Sequence, residues 1–378
     1  MGTPAHTISR IQIQGFRSIK SQDIHLGRIN VLIGPNGAGK SNLLSFLRMV
    51  AMLRTKSLKL FMNLTGGAAA LLHRGPKVTP VMSFAIEATR DDGQASGYSA
   101  RLAHAAGDTL IFVDEVLRAR QSSSQPWTER SLGAGHVESK LEEAAGANQW
   151  PAGIVRGWVS RINFYHFHDT SRDSPLRQQR QQEEDDYLRS DGRNLAPYLY
   201  RLATSSDETD RAAFQRIQTL VQRIAPFVKT LDPTVVNPGQ PQTSAVRLDW
   251  IDQNDDRWGV HVLSDGTLRA VALFTALAQP FERLPSFISV DEPELGLHPA
   301  AIALVVDLMR SVSQRCQILL ATQSPALLDH FKAEEVVVVE APAGASEFTR
   351  QESKALAGWL EDYKLSELYD RNVLGGRP

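Results

Sequence analysis

Cysteine is nearly absent from this chain: Cys316 is the only one among 378 residues. A single thiol excludes an intramolecular disulfide and fits a reducing compartment. Long apolar runs are also missing. The longest stretches, such as residues 271–278, fall well short of the ~20 residues that a bilayer-spanning helix requires. Met1 to Ser9 lacks a basic segment followed by an apolar core, so no signal peptide is expected. The expectation is a soluble, cytoplasmic protein with no membrane partner. Neither sign of charge dominates, and the formal net charge is −1. Any nucleic-acid surface must therefore be a local patch. No internal repeat and no sustained heptad pattern is present, which excludes solenoids and long coiled coils. No Ser-His-Asp arrangement and no zinc-finger spacing occurs.

One early stretch has no acid at all. Between Ile24 and Glu87 there is no Asp or Glu, while Arg28, Lys40, Arg48, Arg54, Lys56, Lys59, Arg74 and Lys77 fall in that interval. Apart from Lys40, two readings stay open for these cations. They form either a solvated face balanced by acids from elsewhere in the fold or a surface that contacts nucleic-acid phosphates.

Within that stretch stands Gly34-Pro35-Asn36-Gly37-Ala38-Gly39-Lys40-Ser41, which fits G-x-x-x-x-G-K-[ST]. The apolar run at 29–33 predicts a buried strand before it, and residues 42–47 read as the first turns of a helix after it. Strand, glycine loop and helix make an anion site. Gly37 and Gly39 let the backbone curl so that successive N–H groups point inward, and the helix N-terminus adds positive dipole. The expected ligands of ATP are Asn36, Gly37, Ala38, Gly39, Lys40, Ser41 and Asn42. Lys40 would reach the β- and γ-phosphates, and the Ser41 hydroxyl would hold Mg²⁺.

Around this motif, residues 8–14 alternate as a half-exposed strand. Residues 81–88, 98–103 and 109–117 predict a meander joined by Asp91-Asp92-Gly93 and Ala106-Gly107-Asp108 turns. Residues 119–153, rich in Ser, Gln, Gly and Ala, predict a long loop with one short helix, and 161–168 predicts a strand. Residues 171–216 are dense in both charges and predict exposed helices, with Leu195, Leu199 and Leu202 as an apolar stripe. Pro226 to Pro241 reads as a proline-punctuated connector. Residues 245–251 and 258–263 read as a hairpin around Asn254-Asp255-Asp256. His166 and His168 stand at i and i+2, but without a third or fourth ligand they read as a polar strand edge.

Farther on, Phe287-Ile288-Ser289-Val290-Asp291-Glu292 is an apolar strand ending in two acids, the Walker B form. Asp291 is expected to bind Mg²⁺ and Glu292 to polarise the attacking water. Leu263-Ser264-Asp265-Gly266-Thr267 precedes a predicted helix at 268–278. Ser and Gly at a helix N-terminus make a second phosphate site or a plain N-cap.

Together these residues resemble the ABC-type ATPases, in the soluble branch that includes SMC, RecF and the OLD-family ATPases. The resemblance is carried by Gly15-Phe16-Arg17-Ser18, by the P-loop through Asn42, and by Asp291-Glu292-Pro293-Glu294-Leu295-Gly296-Leu297-His298-Pro299. Ala321-Thr322-Gln323-Ser324-Pro325 adds to it. The match covers about residues 1–90 and 245–340. The carboxyl end resembles that of a group of small predicted bacterial AAA-family ATPases. The fold implied is α/β: a P-loop NTPase with an ABC-type head, a mixed central sheet, an antiparallel β lobe and a helical insertion. The domains expected are residues 1–118 (N-terminal lobe), 119–244 (insertion), 245–340 (C-terminal lobe) and 341–378 (tail).

The resemblance further implies that Ser264 and Gly266 contact the γ-phosphate of ATP bound by a second copy. The residues from Pro293 to His298 would form the loop crossing that dimer. Gln323 stands where the family usually has a switch histidine, so it is the expected γ-phosphate sensor, though it cannot carry charge. No Q-loop glutamine is evident between Ser41 and Val81. Two functions follow. One is an ATPase that forms an ATP-sandwiched homodimer or higher oligomer and acts on DNA or an effector protein, in DNA repair or anti-phage defence. The other is a slowly hydrolysing scaffold that binds ATP and holds a separately encoded effector such as a nuclease.

Overall fold

The computed structural model describes residues 6–237 and 244–377. Parts of the leader and connector readings, at 1–5 and 238–243, lie outside these described residues. The chain divides into two compact units. The first is Met1–Ile162 with Pro285–Ser289 and Arg315–Pro378, and the second is Asn163–Leu284 with Val290–Gln314.

The first unit opens with β1 (Thr7–Phe16), β2 (Ile19–His25), β3 (Ile29–Ile33), α1 (Lys40–Leu53) and α2 (Leu58–Leu64). There follow β4 (Val81–Thr89), β5 (Ala95–Ala105), β6 (Thr109–Arg120), β7 (Thr128–Gly133), α3 (Leu141–Gly146) and α4 (Ala152–Val159). Six of these strands make an antiparallel sheet in the order β2-β1-β4-β5-β6-β7. The predicted meander is its centre, and each strand runs longer than the periodicity suggested. One face is apolar, and α1 packs on it through an edge-to-face series of rings. Phe46 of α1 meets Phe16 and Phe84 at 5.7 and 5.5 Å between centroids, and Phe84 meets Tyr98 at 5.4 Å. Each such pair adds about 0.5–1.5 kcal/mol beyond the area it buries. The helix behind the glycine loop is thereby anchored to the sheet.

Residues 119–153 are not one long loop. They hold the end of β6, all of β7 and α3, and the start of α4. The organising group is Glu115, fully buried on β6. Its carboxylate accepts from Tyr98 Oη (2.6 Å), Ser139 Oγ and the Lys140 amide (3.0 Å). That carboxylate drives the Tyr98 hydroxyl, already raised by burial, still further above its ordinary range. One buried acid thus orders a segment whose own composition carries no periodicity.

The chain passes through β8 (Ile162–Tyr165) into the second unit, with β9 (Arg180–Gln181), α5 (Leu195–Thr204) and α6 (Glu208–Ile224). Between 171 and 194 there is no α-helix, only a 3₁₀ turn at Pro175–Arg177. The helices begin at Leu195, and Leu195, Leu199 and Leu202 are buried as expected. Asp207 caps α6 by accepting from the Thr209 amide at 2.8 Å. The proline-rich connector is instead a strand, β10 (Val228–Val236), paired with β11 (Ala245–Asp252) and followed by β12 (Arg257–Gly259). Pro233 sits opposite Leu248. It is tolerated there because β10 is an edge strand, where a missing N–H costs no ladder bond. The predicted strand at 258–263 stops early, and Val260–Val262 turns as a 3₁₀ helix into α7 (Asp265–Leu277).

Then come β13 (Phe287–Asp291), α8 (Pro299–Val312), β14 (Gln317–Thr322), α9 (Pro325–Leu328), β15 (Val336–Glu340), β16 (Glu347–Arg350), α10 (Ser353–Leu360) and α11 (Leu365–Asp370). The central sheet has the order β16-β15-β3-β14-β13-β8. β3 is parallel to both β14 and β15, and β16 is antiparallel to β15, so the sheet is mixed. All five residues of β3 and all six of β14 are buried. Continuous apolar runs are what a parallel strand covered on both faces needs. Among the described residues no helix is long and apolar enough to cross a membrane.

Candidate functional site

The P-loop joins β3 to α1 in the first unit. Gly37 and Gly39 hold φ of +80° and +115°, a region that side chains with a Cβ rarely enter. A Cβ on Gly34 would strike the Val339 carbonyl, and one on Gly39 would strike Ser346 Oγ. Lys40 is 7 % exposed. Its ammonium folds back into the loop, donating to the carbonyls of Gly34 (2.5 Å) and Pro35 (3.1 Å). α1 begins with no side-chain cap and no acid in its first turn. That leaves the positive end of its dipole available to an anion. Nothing stands within 4 Å of a Cβ built on Gly37, and Asn36 and Ser41 are exposed. Ala38 is buried. These residues fit a polyphosphate.

A second layer, not singled out by the sequence, fixes the loop. Ser346, 1 % exposed, donates from Oγ to the Ala38 carbonyl (2.6 Å) and lies 2.6 Å from Ser18 Oγ. Asn42 Nδ2 donates to the same Ser18 oxygen at 2.6 Å, so Asn42 faces this clamp. Ser18 stands inside the quoted Gly15-Phe16-Arg17-Ser18 string. Ser346 had no sequence signal, since its place in the clamp comes only from the turn between β15 and β16.

Gln323 follows the last residue of β14. Thr322 pairs with Ile33 of the parallel β3, which puts Gln323 level with Gly34. It is exposed.

The second unit gathers Ser264, Gly266, Asp291 and Glu292. Ser264 is the N-cap of α7, its Oγ accepting from the Thr267 amide at 3.1 Å. A Cβ on Gly266 would collide with the Gly296 carbonyl, so the start of α7 packs directly on the loop after β13. Arg269, only 6 % exposed, locks the two together. It donates to the carbonyl of Leu295 on that loop, and to those of Phe167 and His168 at 2.8 Å each. Burial lowers the basicity of this guanidinium, and the charges of Asp265 and Glu292 oppose that shift. His168 lies beyond the end of β8, and its Nε2 donates to the Asp291 carbonyl at 3.0 Å. It therefore supports the strand that carries the acids. Among the described residues no cluster of His, Cys, Asp and Glu could hold a metal ion. Tyr165 and Phe167 are buried and stacked 5.7 Å apart, as a core pair. Glu292 has φ of +44°, a left-handed backbone that a non-glycine residue adopts at some cost.

The acid-free stretch finds acids brought in from residues 138–143. Lys56 Nζ lies 2.5 Å from Glu143 Oε1. Glu138 accepts from the amides of Leu58 and Lys59 at 2.8 and 2.9 Å, at the start of α2. Arg28 pairs with Asp91 at 3.3 Å. This favours the solvated-face reading.

Two family models match the sequence. One, described as "AAA domain, putative AbiEii toxin, Type IV TA system", matches residues 159–329, and one described as "AAA ATPase domain" matches residues 7–92. No curated protein matches. Among solved structures, the fold is similar to the SMC head bound to the C-winged helix domain of ScpA. The TM-score there is 0.60 at 16 % identity, covering 92 % of this chain and 99 % of that one. It is also similar to the SMC head with an extended coiled coil bound to the C-terminal domain of ScpA, derived from Pyrococcus furiosus. That match has a TM-score of 0.57 at 17 % identity, covering 94 % and 99 % of the two chains. The chain thus matches two AAA-family models, over residues 159–329 and 7–92, and has a fold similar to that of SMC head domains.

Proposed function

We propose that this protein binds and hydrolyses ATP and that ATP joins two copies of it. The observation that carries the reading is the P-loop: an uncapped helix N-terminus, two glycines at positive φ and a buried lysine folded into the loop. Asn36 to Asn42 hold the phosphates of the substrate, Lys40 as the close cation. Ser41 and Asp291 are the assigned holders of Mg²⁺, which when bound neutralises charge on the phosphates. Glu292 orients and polarises the attacking water, a role assigned from the Walker B motif. Ser264 and Gly266 serve the nucleotide of the second copy.

Glu292→Gln tests the core of this reading. It keeps shape and hydrogen bonding but removes the carboxylate. ATP affinity by calorimetry should stay within a few-fold of the parent, while hydrolysis falls by about two orders of magnitude, the scale expected for loss of a general base. Hydrolysis at the parent rate removes Glu292 from this role.

For the downstream target, the pairing of Lys56 with Glu143 leaves less positive charge available to a DNA backbone. The relatives of known structure bind ScpA, which supports a protein partner in kind. Gln323 supports slow turnover, because a neutral amide can hydrogen-bond a phosphate or water but cannot supply charge. DNA repair and anti-phage defence both remain settings for such a machine.

A further inference from the structure

The loop that carries Ser264 is held by a side chain from the preceding insertion. Arg177 closes the 3₁₀ turn Pro175–Arg177, and its side chain is 6 % exposed. Its Nε donates to the Thr170 carbonyl at 3.0 Å and its Nη1 to the Val260 carbonyl at 2.7 Å. Nη1 and Nη2 share the Leu263 carbonyl, each at 3.3 Å. Nη2 also donates to Asp265 Oδ1 at 2.7 Å. The planar, rigid donor fork of arginine suits such convergent acceptors, where lysine would supply a single point charge. The peptide immediately before Ser264 is fixed in this way, and the one acid of the loop is paired.

That acid needs a partner. The Asp265 side chain is 65 % exposed and stands between Ser264 and Gly266, the two residues assigned to face an incoming γ-phosphate. An unpaired carboxylate there would repel a polyphosphate. We propose that Arg177 is a positioning residue of the composite nucleotide site. It neutralises Asp265 and orients the Leu263 peptide, so that Ser264 and Gly266 can receive an anion from a second copy. This role rests on the dimer reading above. A guanidinium that only stapled the core would have no use for the charge of Asp265, and that difference can be measured.

The measurement is the ATP concentration that half-maximally drives association, followed by light scattering in the Glu292→Gln background. Arg177→Gln should raise it about tenfold, the scale of one like-charge contact at a partly desolvated interface. Asp265→Asn alone, a change on an exposed side chain that should not disturb folding, should lower it several-fold. Adding Asp265→Asn to Arg177→Gln should bring the value back to within a few-fold of the parent. Arg177→Lys should fall between parent and Arg177→Gln. The role is overturned if the double change is as defective as Arg177→Gln, or if Asp265→Asn weakens association. A parent that binds ATP, with Lys40→Ala as the non-binding control, yet never associates sinks the dimer reading and this role with it. A parent that associates while Arg177→Gln matches it sinks this role alone.

Discussion

At the scale of single residues, the P-loop depends on a hydroxyl from the far end of the chain. Ser346 is buried and donates to the Ala38 carbonyl, and a Cβ on Gly39 would strike its Oγ. Ser346→Ala removes the donor and leaves a buried carbonyl without it, at a cost of about 1–3 kcal/mol. The expected outcome is a melting point lower by several degrees and ATP affinity reduced several-fold, with Lys40 and Ser41 untouched. Calorimetric titration and a thermal scan check both. Unchanged affinity would make Ser346 a support of the β15–β16 turn and nothing more. The contrast between Ser18 and Ser346 shows where legibility in the sequence ends. Motif residues are legible because the phosphate chemistry demands adjacent positions in one loop. Their supports come from any part of the chain that the fold delivers, so Ser346, Arg269 and Arg177 left no local signal.

At the scale of elements, the strands and helices with strong periodicity or an unbroken apolar run were legible: β1, β3, α1, β13 and the centre of the meander. Where tertiary contacts replace periodicity, the local pattern misled. Glu115 organises the segment beyond β6 by accepting three hydrogen bonds. An edge position excuses Pro233 inside β10. The long acid-free interval misleads in another way, since the acids that meet it, Asp91 and those at residues 138–143, come from later in the chain. α2 illustrates this, with Glu138 receiving its first amides and Glu143 pairing Lys56. Changing Arg54, Lys56 and Lys59 together to Ala should therefore leave affinity for duplex DNA unchanged across a salt series. A uniform loss of affinity for every sequence, with a shallower salt slope, would restore the phosphate-contact reading.

At the scale of the whole molecule, one copy of the chain does not enclose its nucleotide. A single P-loop leaves the γ-phosphate open on one side, and water there must be excluded for efficient transfer. Ser264 caps a thirteen-residue helix, and both it and the first helical residue, Asp265, are exposed. If a facing copy supplies that helix end, the phosphates satisfy donors from both chains and ATP acts as the glue. The same two patches then meet twice, which gives a cyclic C2 pairing. Ser264→Arg puts bulk and charge where the second copy's phosphate belongs. In the Glu292→Gln background it should leave nucleotide binding by the monomer largely intact and abolish ATP-dependent association, read by light scattering with and without ATP. If the double mutant associates on ATP as well as Glu292→Gln alone, the Ser264 loop is only a helix cap, and the ATP-bridged dimer falls with it.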